Sequence, residues 1–108
     1  MTAAALSPTG LLYGGAIRYL DQVAHAASAG AWGEARTVLR RAETIVRELD
    51  GTLDPELGDV ALRLHTIYAG ATRALREACA LQDAQAVSQV KDDVRALRTL
   101  WRETTGLI

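Results

Sequence analysis

The sequence predicts an all-α protein, an antiparallel four-helix bundle, with its 108 residues forming a single domain. Three observations predict it. Apolar residues recur at alternating steps of three and four in four successive stretches, which places a stripe on one side of a helix each time. The period-two alternation of a half-buried strand is absent throughout. The joints between stretches are short, and short connections between long helices force them antiparallel. The helices are expected near 8–29, 32–53, 55–81 and 84–104.

Residues 1–7 read as a short flexible N-terminus. Ser7-Pro8 then starts the first helix, the hydroxyl as cap and the proline where a missing N–H costs nothing. Leu12, Ala16, Leu20, Val23 and Ala27 form its stripe, widened by Ile17 and Ala24. Gly14-Gly15 inside it costs ~1 kcal/mol per glycine relative to alanine. Such a pair marks the close approach of a helix or ligand, or else a kink. Gly30 is the stop.

The second helix carries Ala35, Val38, Ala42, Ile45 and Leu49, with Leu39, Val46 and Leu53 beside them at steps of seven. Asp54-Pro55 reads as cap and first residue of the third helix. Its stripe runs Leu57, Val60/Ala61, Leu64, Ile67/Tyr68, Ala71, Leu75 and Ala78. Asp83 caps the fourth helix, whose stripe is Val87, Val90, Val94, Leu97 and Trp101, with Leu100 alongside and Gly106 at its end. Ile45 and Leu64 lie on the central stripes, so alanine at either is expected to cost ~2–5 kcal/mol if they are fully buried.

Composition narrows function by exclusion. A net charge of -1, from 12 basic and 13 acidic residues, leaves no footprint for nucleic acid or for a basic membrane-binding face. No apolar run approaches the ~18–20 residues that span a bilayer, so no membrane insertion is expected. The opening MTAAALSPTG lacks a positive n-region and does not read as a signal peptide. The single Cys79 excludes an internal disulfide and fits a reducing compartment, so a cytoplasmic location is expected. His25 and His65 have no second histidine or Glu-x-x-His partner on their own helices, and the surroundings of His65, LRLHTIYAG, lack the downstream lysine of a phosphotransfer site. Neither catalysis, metal nor cofactor is expected.

The apolar arcs of the second and third helices are broad. A helix touched on both sides explains that breadth, and so does a groove that receives a partner's amphipathic helix. On the second reading the binding surface is the outer edge of these helices: Val46, Leu49, Leu53, Leu57, Val60 and Ile67. These lie near the hairpin turn or duplicate a stripe position already filled. Tyr68 joins them because its ring offers apolar area and its hydroxyl can stay wet. The competing reading makes all seven core.

Three segments carry a family resemblance. LLYGGAIRYL (11–20) resembles the Leu-Tyr-Asp-Gly-Ala-Ile-Arg-Phe-Leu signature of the flagellar export chaperone family FliS. RAETIVRELDGTLDPELGDVALRL (41–64) is similar to its second signature, an Ile-Val-x-Glu-Leu segment leading into Leu-Asp and a glycine-started helix. LRTLWRE (97–103) looks like its closing Leu-Arg-x-x-Trp segment. The resemblance implies a cytoplasmic chaperone that wraps the disordered C-terminal segment of flagellin, prevents premature polymerisation and hands the cargo over at the flagellar export gate, with no nucleotide. Departures from the family are Gly14 for an aspartate, Arg63 for an asparagine and Gly70 for a tyrosine, a start about one turn shorter, and an N-terminal tail reduced to MTAAAL. The Gly14 and Gly70 departures favour the alternative, a related helical-bundle adaptor for another secreted or regulatory protein.

Overall fold

The computed structural model of the protein describes residues 7–106 and contains four α-helices and one 3-10 turn: α1 (Pro8–Ser28), α2 (Trp32–Gly51), the turn Pro55–Leu57, α3 (Asp59–Ala80) and α4 (Ala84–Gly106). There is no strand among the described residues. Each helix packs on its neighbours in the chain and α4 closes on α1, which makes an antiparallel bundle. The loose N-terminus expected at 1–7 lies outside the described residues except for Ser7.

Local chemistry sets the helix ends. Ser7 Oγ accepts from Gly10 N at 3.1 Å, with Pro8 at the first helical position. Asp83 Oδ1 accepts from Ala86 N at 3.0 Å. Gly30 (φ 72°) closes α1, with Ala31 N donating to Ala26 O at 2.8 Å. Gln82 does the same for α3 at φ 54°, with Asp83 N donating to Ala78 O at 2.9 Å, in a conformation that favours glycine. The third helix starts later than the sequence predicts. Asp54 caps only the 3-10 turn, accepting from Glu56 N at 2.9 Å, and Gly58 at φ 57° interrupts the run before Asp59.

Two clusters make the core. At one end small residues (Ala24, Ala26, Ala27, Ala35, Ala42, Ala78) let the helices close around Leu20, Val23, Leu75, Cys79 and Val87. Cys79 behaves as a small apolar group, its thiol pKa pushed up by burial. At the other end larger side chains fill a wider space: Tyr13, Ala16, Leu49 and Tyr68 are buried, ringed by half-buried Leu12, Ile45, Val46, Leu53, Leu64, Leu97 and Trp101. Tyr13 meets Tyr68 edge to face and Trp101 at 5.3 Å between centroids. A Cβ built on Gly15 comes within 3.9 Å of Ile45 and one on Gly14 within 3.6 Å of Arg18 Nη1, both ordinary contacts. The glycine pair is therefore not demanded by a close helix crossing.

Ile45 and Leu64 sit at the rim of the second cluster, half-buried rather than enclosed. The cost of truncation scales with the area and cavity that are lost. Ile45→Ala and Leu64→Ala are therefore expected to cost ~1–2 kcal/mol each, at or below the floor of the fully buried range. Urea titration of the two variants beside the parent measures it.

Candidate functional site

Most of the large apolar side chains that stand exposed among the described residues lie at the wider end of the bundle, Leu81 at the C-terminal end of α3 being the exception. In the N-terminal half of α3, Val60 is 54% exposed, Ile67 48% and Leu62 63%, with Leu57 exposed in the preceding turn. Leu11 on α1 and Leu100 on α4 are also exposed, and the antiparallel topology brings them to the same end. The cause is visible in the register. The stripe of α3 is held by Tyr68, near its middle, and by Leu75, Ala78 and Cys79 in its second half. N-terminal to Tyr68 no α3 side chain is fully buried.

Register divides these residues between two flanks of α3. Leu62 shares a flank with His65, Ala69, Thr72 and Arg76, which borders a cleft of about 300 Å³ between α2 and α3. Val46, Tyr68, Ala69 and Thr72 line it, and charged residues wall it. His65 Nδ1 donates to Asp50 at 2.7 Å, and Arg76 Nε and Nη2 donate to Glu43 at 2.7 and 2.9 Å. These pairs cross the cleft, one toward each end. The Arg76 hydrogen bonds hold the Glu43 carboxyl below the usual carboxylate range. Arg47 and Arg73 line the cleft between the two pairs.

Val60 and Ile67 share the other flank, which faces α4. There Val46, Leu49, Ile67, Tyr68, Ala71, Asp93, Val94 and Leu97 surround an apolar crevice of about 30 Å³. By register Leu100 lies on the flank of α4 that carries Asp93 and Leu97.

Of the seven residues expected at the binding surface, four (Val46, Leu49, Ile67 and Tyr68) meet around this crevice. Leu49 and Tyr68 are its buried floor and cannot be reached directly; Leu49 is 1% exposed. The expectation that the Tyr68 hydroxyl stays wet is corrected: it hydrogen-bonds the Tyr13 hydroxyl at 2.6 Å inside the core, because Tyr13 projects from α1 across the wide end. Leu53 is half-buried against the second cluster, and Leu57 and Val60 stand apart from the crevice at the turn. Sequence reasoning passed over Leu62 and Leu11. Their signal was an apolar residue off the apolar stripe, which has no packing reason to be there.

Among the described residues no three His, Cys, Asp or Glu side chains come together to hold a metal, and no helix is long and apolar enough to cross a membrane. The arrangement offers apolar surface flanked by paired charges. It can bind a segment of chain.

Compared with known proteins, residues 1–106 match the family model described as flagellar protein FliS. No curated protein matches the chain.

Proposed function

The chain belongs to the FliS family of flagellar proteins, and from that membership we propose that it is a cytoplasmic export chaperone for the C-terminal segment of flagellin. The supporting observation is the exposed apolar surface of α3 and the turn before it: Leu57, Val60, Leu62 and Ile67 within eleven residues. A monomer of this size rarely shows such a patch unless a partner covers it. Flagellin's segment lays its apolar face on the α3–α4 flank at Val60 and Ile67, over the crevice floored by Leu49 and Tyr68. The segment continues past the turn at Leu53 and Leu57, with Val46 reached through the α2–α3 cleft.

Such binding needs no chemistry. A segment that is disordered when free and ordered on the chaperone spends part of its contact energy on ordering, so affinity comes from a long contact rather than one deep pocket. Covering the segment removes the apolar face that drives filament polymerisation, and the cargo passes on at the export gate. Co-purification tests this: the flagellin of the same organism is expected to be retained full-length and lost when its C-terminal segment is deleted. Equal retention of both forms defeats the reading.

A further inference from the structure

The net charge of -1 hides a segregation of charge. The four cations of α4 are Lys91, Arg95, Arg98 and Arg102, at steps of four, three and four. That spacing stacks them on one flank of the helix over about 16 Å. The flank borders α1, because Arg95 Nη2 donates to both carboxylate oxygens of Asp21, at 2.8 and 2.9 Å. The opposite flank carries Asp93 and the apolar crevice. Among the described residues, the Asp21 pair is the one ion pair the stripe makes.

Arg98 occupies the middle of the row. Its Nε is shut off from solvent and has no hydrogen-bond acceptor among the described residues. Burial, then the charges of Arg102 and Arg95, hold its pKa below the usual arginine value, with Asp21 opposing them. The enclosed Nε is out of a partner's reach, but an incoming carboxylate at the terminal nitrogens relieves the repulsion along the row. Guanidinium groups suit carboxylates because the planar fork meets both oxygens.

We propose that the flank of α4 beside α1 is a docking surface for an acidic segment of a protein partner, its carboxylates pairing with Arg98, Arg102 and Lys91. The row is one residue wide and is bordered by Asp21, Asp92 and Glu103. That suits spaced carboxylates better than the dense charge of a phosphate backbone. The surface is distinct from the apolar flank of α3, so both can be occupied at once.

The test is fluorescence anisotropy of a labelled glutamate-rich helical peptide of about three turns, titrated with the full chain at low and at physiological salt. Binding is expected at low salt, weakening roughly tenfold at physiological salt as screening rises. Arg102→Gln and Arg98→Gln are each expected to weaken it about fivefold or more, while Arg36→Gln on α2 changes it less than about twofold. Circular dichroism confirms that each variant is folded; if Arg98→Gln is not, Arg102→Gln and Lys91→Gln carry the comparison. Absence of peptide binding at low salt, equal weakening by Arg36→Gln, or tighter binding of a single-stranded oligonucleotide of similar length overturns the proposal. Retention of flagellin by the same variants is expected to be unchanged, which separates this surface from the apolar one.

Discussion

Leu49→Glu is expected to unfold the bundle, whereas Val60→Glu is expected to leave it folded and unable to hold its cargo. Leu49 lies inside the cluster formed with Tyr13, Ala16 and Tyr68. The buried polar groups there are the two tyrosine hydroxyls, already bonded to each other. An unpaired carboxylate at that depth costs several kcal/mol, comparable to the ~5–15 kcal/mol that stabilises an ordinary domain. Val60 is half in water, so a charge there keeps its hydration and changes stability by no more than ~0.5 kcal/mol. Against a bound apolar segment the same carboxylate is desolvated without a partner. Affinity is then expected to fall at least about tenfold. Thermal melts beside isothermal titration with a flagellin C-terminal peptide separate the two effects. A folded Val60→Glu variant that binds like the parent removes the α3–α4 flank from consideration, and a folded Leu49→Glu variant shows that the core is misassigned.

Tyr13→Phe is expected to cost ~1–3 kcal/mol, although it removes a single oxygen. The penalty comes from Tyr68, whose hydroxyl loses its 2.6 Å partner while remaining buried. The double variant Tyr13→Phe/Tyr68→Phe removes both polar atoms and is expected to recover much of the loss. The pair also predicts an alkaline limit. Burial holds both phenols above their ordinary pKa, and for Tyr13 the bond and charge of Tyr68 raise it further. Raised native values mean that the unfolded chain ionises first. The stability is therefore fully present below about pH 10 and lost as pH rises beyond it. Denaturant titrations from neutral pH upward are expected to show this decline in the parent and a flatter one in the double phenylalanine variant. A parallel decline in both places the alkaline sensitivity elsewhere.

The chain determines its own helices, because caps and stripes are local. Ser7, Gly30 and Asp83 act through backbone groups within five residues, so their roles can be read without knowing what the helices pack against. The same holds for the spacing that lines up Lys91, Arg95, Arg98 and Arg102, although the sign of the whole chain's charge concealed it. What periodicity leaves open is helix rotation. Adjacent residues stand about 100° apart around the axis, so a doubled position such as Ile67/Tyr68 satisfies the pattern with either one inward. The tertiary structure decided for Tyr68, because Tyr13 arrives from α1 with a hydroxyl to match and Trp101 stacks behind it. It also decided that Leu49 is sealed in while Leu57 and Val60 are left out. The large side chains from α1, α2 and α4 already fill the wide end, and Gly58 breaks the chain before α3 begins. Which apolar residue is core and which is surface depends on the volume its neighbours leave, and that volume exists only once the helices are assembled.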